Sequence, residues 1–229
     1  MSKKPPLQNQ GFKWWEHVTE IWAVATNIYI EGTFPNGVQY DMASAIQLMH
    51  NMMVAHAKAV IAYKEAGYEG KVGIVHSLES KYPYDKTKDE DVKAAKNEDV
   101  LNNQFLLDAT FLGKYRDETM EIINRLVELN NGSFHASKDD MEILKEAASY
   151  NDYLGINHYQ CHFVKAYQGE STIHHNGTGD YDGENDIFHN GTGEKGALRF
   201  CLKDVGERMD KEGIPKTDWY REVSKTKEL

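Results

Sequence analysis

A long helical pattern standing between two short β-rich runs constrains this chain more than any other feature. Phe12, Trp14, Trp15, Val18 and Thr19 mark the first run as a buried strand, with Glu20 at its C-terminal end. Lys71-Val72-Gly73-Ile74-Val75-His76-Ser77, bounded by Gly70, reads as a second buried strand. Between them, Pro35 to Gly37 is turn chemistry, Asp41 is placed to cap a helix from Met42 to Ala66, and Gly67 stops it. Ile46, Met49, Met53, Ala57, Val60 and Ile61 recur at threes and fours, so one stripe of that helix faces a core. Two strands separated by so long a helix pair in parallel, because only a crossover returns the chain to the same end of the sheet. The expected class is α/β.

The pattern continues downstream. After a loop with Tyr82, Pro83 and Tyr84, helical periodicity fills Glu90 to Gly113, Asp117 to Asn130 and Lys138 to Ser149, with Asp89, Arg116 and Ser137 near the starts. Asp152 to Tyr159 reads as a third strand. From Gln160 the pattern loosens into Gly- and Asp-rich stretches, and His175-Asn176-Gly177-Thr178-Gly179 returns as His189-Asn190-Gly191-Thr192-Gly193. Two copies are too few for a solenoid, so this region is expected to be a loop insertion. The expected organisation is a disordered lead-in at 1–11, one domain at 12–219 and a charged tail at 220–229.

Composition removes several function classes. With 36 acidic against 26 basic residues the formal net charge is −10, which disfavours a broad nucleic-acid surface. The stretch most nearly apolar, Ala43 to Ala62, is broken by Gln47, His50, Asn51, His56 and Lys58, so no membrane association is expected. Cys161 and Cys201 have no metal or redox spacing and no secretory pattern precedes the chain's folded region, which points to the cytoplasm.

Strand ends are where parallel α/β folds place their chemistry, and here they carry Glu20, His76 and Asn157. A strand-end carboxylate near Trp14, Trp15 and Trp22 suits sugar chemistry, in which rings stack on pyranose faces and a carboxyl donates a proton to the leaving oxygen. The competing reading of Glu20 is a strand-end ion pair. Five histidines at 158–189, with Asp180, Asp182, Glu184 and Asp186, match no zinc template and read as a solvated acidic loop. Met49, Met52 and Met53 read as core filler, His50 and His56 as structural, and the mixed charges from Lys86 to Lys93 as a solvated loop and helix start.

Several ordered blocks carry a family resemblance. These are Lys13-Trp14-Trp15-Glu16-His17-Val18-Thr19-Glu20, Gly32-Thr33-Phe34-Pro35-Asn36-Gly37, and the run from His50 to Val60. Gly73-Ile74-Val75-His76, Lys81-Tyr82-Pro83-Tyr84-Asp85, Phe105 to Gly113 and Asp152 to Tyr159 continue it. In that order they resemble glycoside hydrolase family 1, and within it the bacterial 6-phospho-β-galactosidase branch, over roughly Phe12 to Trp219. The resemblance implies a partial (β/α)8 TIM barrel, about strands four to six with their helices. It implies an O-glycosyl hydrolase of phosphorylated disaccharides, galactosides or glucosides, working by retention without metal or cofactor. Glu20 would be the general acid/base, Asn157 and Thr19 would contact the sugar, and Tyr159 would lie near the nucleophilic carboxylate. Thr19 stands where the family has Asn, and His17 and Val18 where it has Thr and Phe. The family's Thr-Glu-Asn-Gly nucleophile motif does not occur in these 229 residues, Gly183-Glu184-Asn185-Asp186 being the nearest text. Nor does its Ser and Lys phosphate loop. The resemblance therefore leaves two expectations open: a hydrolase, or a truncated or degenerate relative that is inactive alone and associates with a missing half or with itself.

Overall fold

The computed structural model describes residues 14–30, 32–35, 37–38, 41–129, 131–158 and 161–166, with short strands at 174–175, 188–189 and 197–199. Strand β1 (Trp14–Thr19) leads through α1 (Ile21–Tyr29) and α2 (Met42–Glu65) to β2 (Lys71–Ser77) and β3 (Ser80–Pro83). A helical rod over residues 89–112, α3, is followed by α4 (Asp117–Leu129), α5 (Lys138–Ala147), β4 (Tyr153–Asn157) and β5 (Cys161–Ala166). Strands β6 (His174–His175), β7 (Phe188–His189) and β8 (Ala197–Arg199) come last.

The parallel crossover read from the sequence is present twice. Strands β1, β2 and β4 lie side by side, all parallel, with Trp15 opposite Val72 and Ser77 opposite Asn157. Strand alternation gives β2 two faces. Ile74 packs among buried residues of α1, α2 and α3, so that face meets the helices. On the other face, with Gly73, Val75 and Ser77, β2 lies close beside its paired neighbour β4: a Cβ added to Gly155 would lie 2.5 Å from Val75 Cγ2. Three adjacent parallel strands backed by their crossover helices are a sector of a (β/α)8 barrel.

Local chemistry sets the helices. Asp41 Oδ1 accepts from the Ser44 N–H at 2.9 Å, and Gly67, at φ 72°, follows the end of α2. Met42, Ile46, Met49, Met53, Ala57 and Val60 form its buried stripe. Ser137 and Asp140 make a reciprocal capping box at α5. Rod α3 departs from regular geometry twice: the Phe105 N–H bonds Val100 O and the Gly113 N–H bonds Asp108 O, slips from i−4 to i−5.

Four sequence readings need correction. Helix α1 begins directly after Glu20, and its Trp22 is only 5% exposed within the core, so it offers no face to a sugar. The run from Gln160 is not all loop: β5 is a buried strand, parallel to β3 and antiparallel to β8. Its His162 and Lys165 disguise a strand whose polar groups find partners. The charge run at 86–93 holds one buried member, Asp91, whose oxygens accept from the Ala166 N–H at 2.8 Å and the Asp85 N–H at 3.1 Å. His76, read as a strand-end site residue, alternates onto the helix-facing side with Ile74 and is fully buried. The lead-in at 1–11, the tail at 220–229, Tyr159 and the 183–186 segment lie outside the described residues.

Candidate active site

The site is built where β1, β2 and β4 end. Glu16 pairs with Gly73 but Thr19 with Val75, so β1 carries one extra residue across His17 and Val18 and bulges. The bulge is followed at once by Glu20 in the left-handed region, φ 52°, ψ 46°. A residue with a Cβ enters that region at a cost of about 1–2 kcal/mol. Backbone and side-chain bonds hold it there. The Glu20 N–H donates to Val75 O at 3.0 Å, Glu20 O accepts from the Val24 N–H at 3.0 Å, and Glu20 Oε1 accepts from Asn157 Nδ2 at 2.6 Å.

The last bond joins residues 137 apart in the chain, and it works because the parallel register carries the ends of β1 and β4 to one rim. Both partners are half-buried, whereas Thr19 is exposed. The structure thus brings Glu20 and Asn157 together and places Thr19, next to Glu20 in the chain, at the end of β1, whereas Tyr159 lies outside the described residues. An amide that donates to one carboxylate oxygen restricts the orientation of the Glu20 carboxyl plane.

The end of β4 is fixed in turn. The Leu78 N–H donates to Asn157 O at 3.0 Å, and His158 Nδ1 lies 2.8 Å from Leu78 O. Just beyond, Lys81 Nζ donates to Glu79 Oε2 at 2.8 Å and lies 3.0 Å from His162 Nδ1, its side chain wholly withdrawn from solvent. This cluster ties β3 to β5 at the same rim. Reading the sequence segment by segment missed it; the signal was the pairing of lone polar residues inside otherwise apolar β runs.

Three further histidines, His76, His56 and His50, are structural. His76 Nε2 lies 3.1 Å from Thr110 Oγ1, and Thr110 donates its own proton to Leu106 O at 2.7 Å, so the imidazole is the donor. Burial, with a lesser contribution from His56, pushes His76 down to about 4. His56 Nε2 lies 2.8 Å from Asn151 Oδ1. His50 Nδ1 lies 2.7 Å from the Tyr115 hydroxyl, and burial lowers its pKa. Among the described residues no group of three or more metal-ligating side chains converges, and no helix is long and apolar enough to cross a membrane.

Comparison with known proteins gives a consistent picture. A profile described as Glycosyl hydrolase family 1 matches residues 8–226. A 6-phospho-beta-galactosidase of Staphylococcus haemolyticus is 45% identical over 206 residues, 90% of this chain and 41% of the relative. One of Clostridium acetobutylicum is 47% identical over 207 residues, 90% of this chain and 40% of the relative. The chain therefore spans about two fifths of the length of these curated relatives. Among solved structures, a beta-glucosidase from Exiguobacterium marinum superposes with a TM-score of 0.58 at 27% identity, covering 69% of this chain and 34% of that one. The psychrophilic beta-glucosidase BglU from Micrococcus antarcticus gives 0.57 at 26%, covering 69% and 32%.

Proposed function

From the premise that the chain belongs to glycosyl hydrolase family 1, we propose that it carries the acid/base side of a retaining glycosidase site for 6-phospho-β-galactosides. Glu20 is the general acid that protonates the glycosidic oxygen and then the base that activates water. Asn157 orients it and contacts the sugar, with Thr19 at the rim and Tyr159 next to the nucleophile. The observation that carries this reading is the 2.6 Å bond from Asn157 Nδ2 to Glu20 Oε1, which assembles two strand-end residues on one barrel rim. The relatives' names supply the substrate class, with 6-phospho-β-glucosides as the alternative, and the cytoplasm is the compartment that suits a phosphorylated sugar.

Retention needs two carboxyl groups about 5–5.5 Å apart. No Thr-Glu-Asn-Gly occurs in this sequence, and that favours a second reading in which these 229 residues do not turn over substrate by themselves. Hydrolysis of nitrophenyl 6-phospho-β-galactoside and of a phosphorylated disaccharide decides between them. Turnover that falls about 10²–10⁴-fold in Glu20→Gln on the disaccharide supports the first reading. The loss is smaller on the nitrophenyl substrate, because nitrophenolate departs without a proton. No turnover by the unaltered chain supports the second, and turnover untouched by Glu20→Gln removes Glu20 from the mechanism.

A further inference from the structure

We propose that Asn103 is a positioning residue for the Glu20–Asn157 pair, acting through the backbone of Leu78 and Glu79; the inference rests on the reading of that pair as the acid/base site. Asn103 is buried in the first slipped turn of α3. Its Oδ1 accepts from the Glu79 N–H at 3.1 Å, and its Nδ2 donates to Glu79 O at 2.8 Å and to Asp99 Oδ1 at 2.6 Å. One side-chain amide thus grips both backbone polar groups of a single residue. That needs a donor and an acceptor side by side, which only an amide offers at this size.

Glu79 is the residue after Leu78, whose N–H and carbonyl hold Asn157 O and the His158 ring. The grip therefore runs from α3 to Glu79, across one peptide to Leu78, into the end of β4, and out along the Asn157 side chain to Glu20. From its other side Glu79 is held through its carboxylate by Lys81. A slipped turn within a helix re-aims the side chains it contains, and such turns recur at functional sites. Here the slip delivers the amide to the loop that follows β2. The role differs from bulk packing, because Asn103 makes a fixed hydrogen-bond fork where an apolar residue would suffice to fill space.

The test reads geometry directly on the full chain, labelled with ¹⁵N. The Asn157 side-chain amide resonances, assigned by their loss in Asn157→Ala, report the bond to Glu20, and the exchange rate of the Leu78 N–H reports the end of β4. Asn103→Asp keeps the size and the acceptor but removes the donor and sets a carboxylate against Asp99. The expected result is that the Asn157 amide pair moves toward its solvent-exposed position and Leu78 exchanges about tenfold faster, in line with loss of the bond to Glu79 O. Asn103→Ser, which removes the amide without adding a charge, moves both in the same direction. Ile123→Val, a core change on α4, serves as the control for general loosening. Unmoved Asn157 resonances in both Asn103 variants overturn the proposal, as does an equal shift in Ile123→Val. Glu20→Gln without effect on hydrolysis would defeat the catalytic reading and leave this measurement standing.

Discussion

Glu20 occupies a backbone conformation that suits glycine, held by two backbone bonds and by the bond from Asn157 to its carboxylate. Glu20→Gly and Glu20→Ala both delete the bond from Asn157, but only alanine still bears the left-handed cost. Glu20→Gly is therefore expected to be more stable than Glu20→Ala by about 1 kcal/mol in urea unfolding. His76 makes a second prediction. Its folded value, about 4, lies below its ordinary value of 6.5, so between these the unfolded chain binds a proton that the folded chain refuses. Stability is complete above pH 6.5 and falls as pH drops toward 4, by about 3 kcal/mol in all. His76→Gln, which keeps a donor for Thr110, should flatten that part of the stability profile. At this scale the sequence showed Glu20 and Asn157 as strand-end residues, but their contact depends on register across 137 positions. His76 was misread because strand alternation, set by Ile74, sends it to the helices. Trp22 was misread because the helix after Glu20 was not recognised, although Ile21, Trp22, Ala25 and Thr26 bury a helical face.

Elements end where the sequence says they should, for reasons that differ in strength. Gly67 and Gly113 both follow helices at positive φ, 72° and 62°. A Cβ at Gly67 meets nothing within 4 Å, while one at Gly113 would lie 2.5 Å from Lys145 Cα and 2.8 Å from Leu144 O. Gly67→Ala should cost about 1 kcal/mol, the conformational term alone. Gly113→Ala should cost at least twice as much, because the backbone of α5 has to move; denaturant melts of the two variants provide the comparison. Ser137→Ala, which removes the capping box, is expected to cost about 1 kcal/mol. Caps and stops were legible because they depend on neighbours in the chain. The slipped turns of α3 and the burial of β5 were not, since both are decided by distant partners: Glu79 for Asn103, and Lys81 and Asp91 for β5.

At the scale of the molecule, the described strands β1, β2 and β4 form a sector of a barrel sheet. Among the described residues β1 and β4 each pair with one strand of that sheet only, and Ile156 on β4 is 57% exposed. An exposed edge beside an apolar side chain favours association. Light scattering is expected to show mass rising with concentration, and Ile156→Lys should suppress the rise; a concentration-independent monomer would count against an open edge. Parallel order and helix backing were legible from periodicity, whereas the sector's place within a larger ring was legible only through the family's motif order. The rim cluster has a chemical consequence of its own. An amine lodged between a carboxylate and an imidazole is shielded from acylating reagents while β3 and β5 stay joined. Lys138, 88% exposed along its side chain, would be labelled at the rate of a free amine, and Lys81 only at the rate at which the rim opens. Timed acetylation read by mass spectrometry thus turns one lysine into a clock for the opening of the wall beside the site.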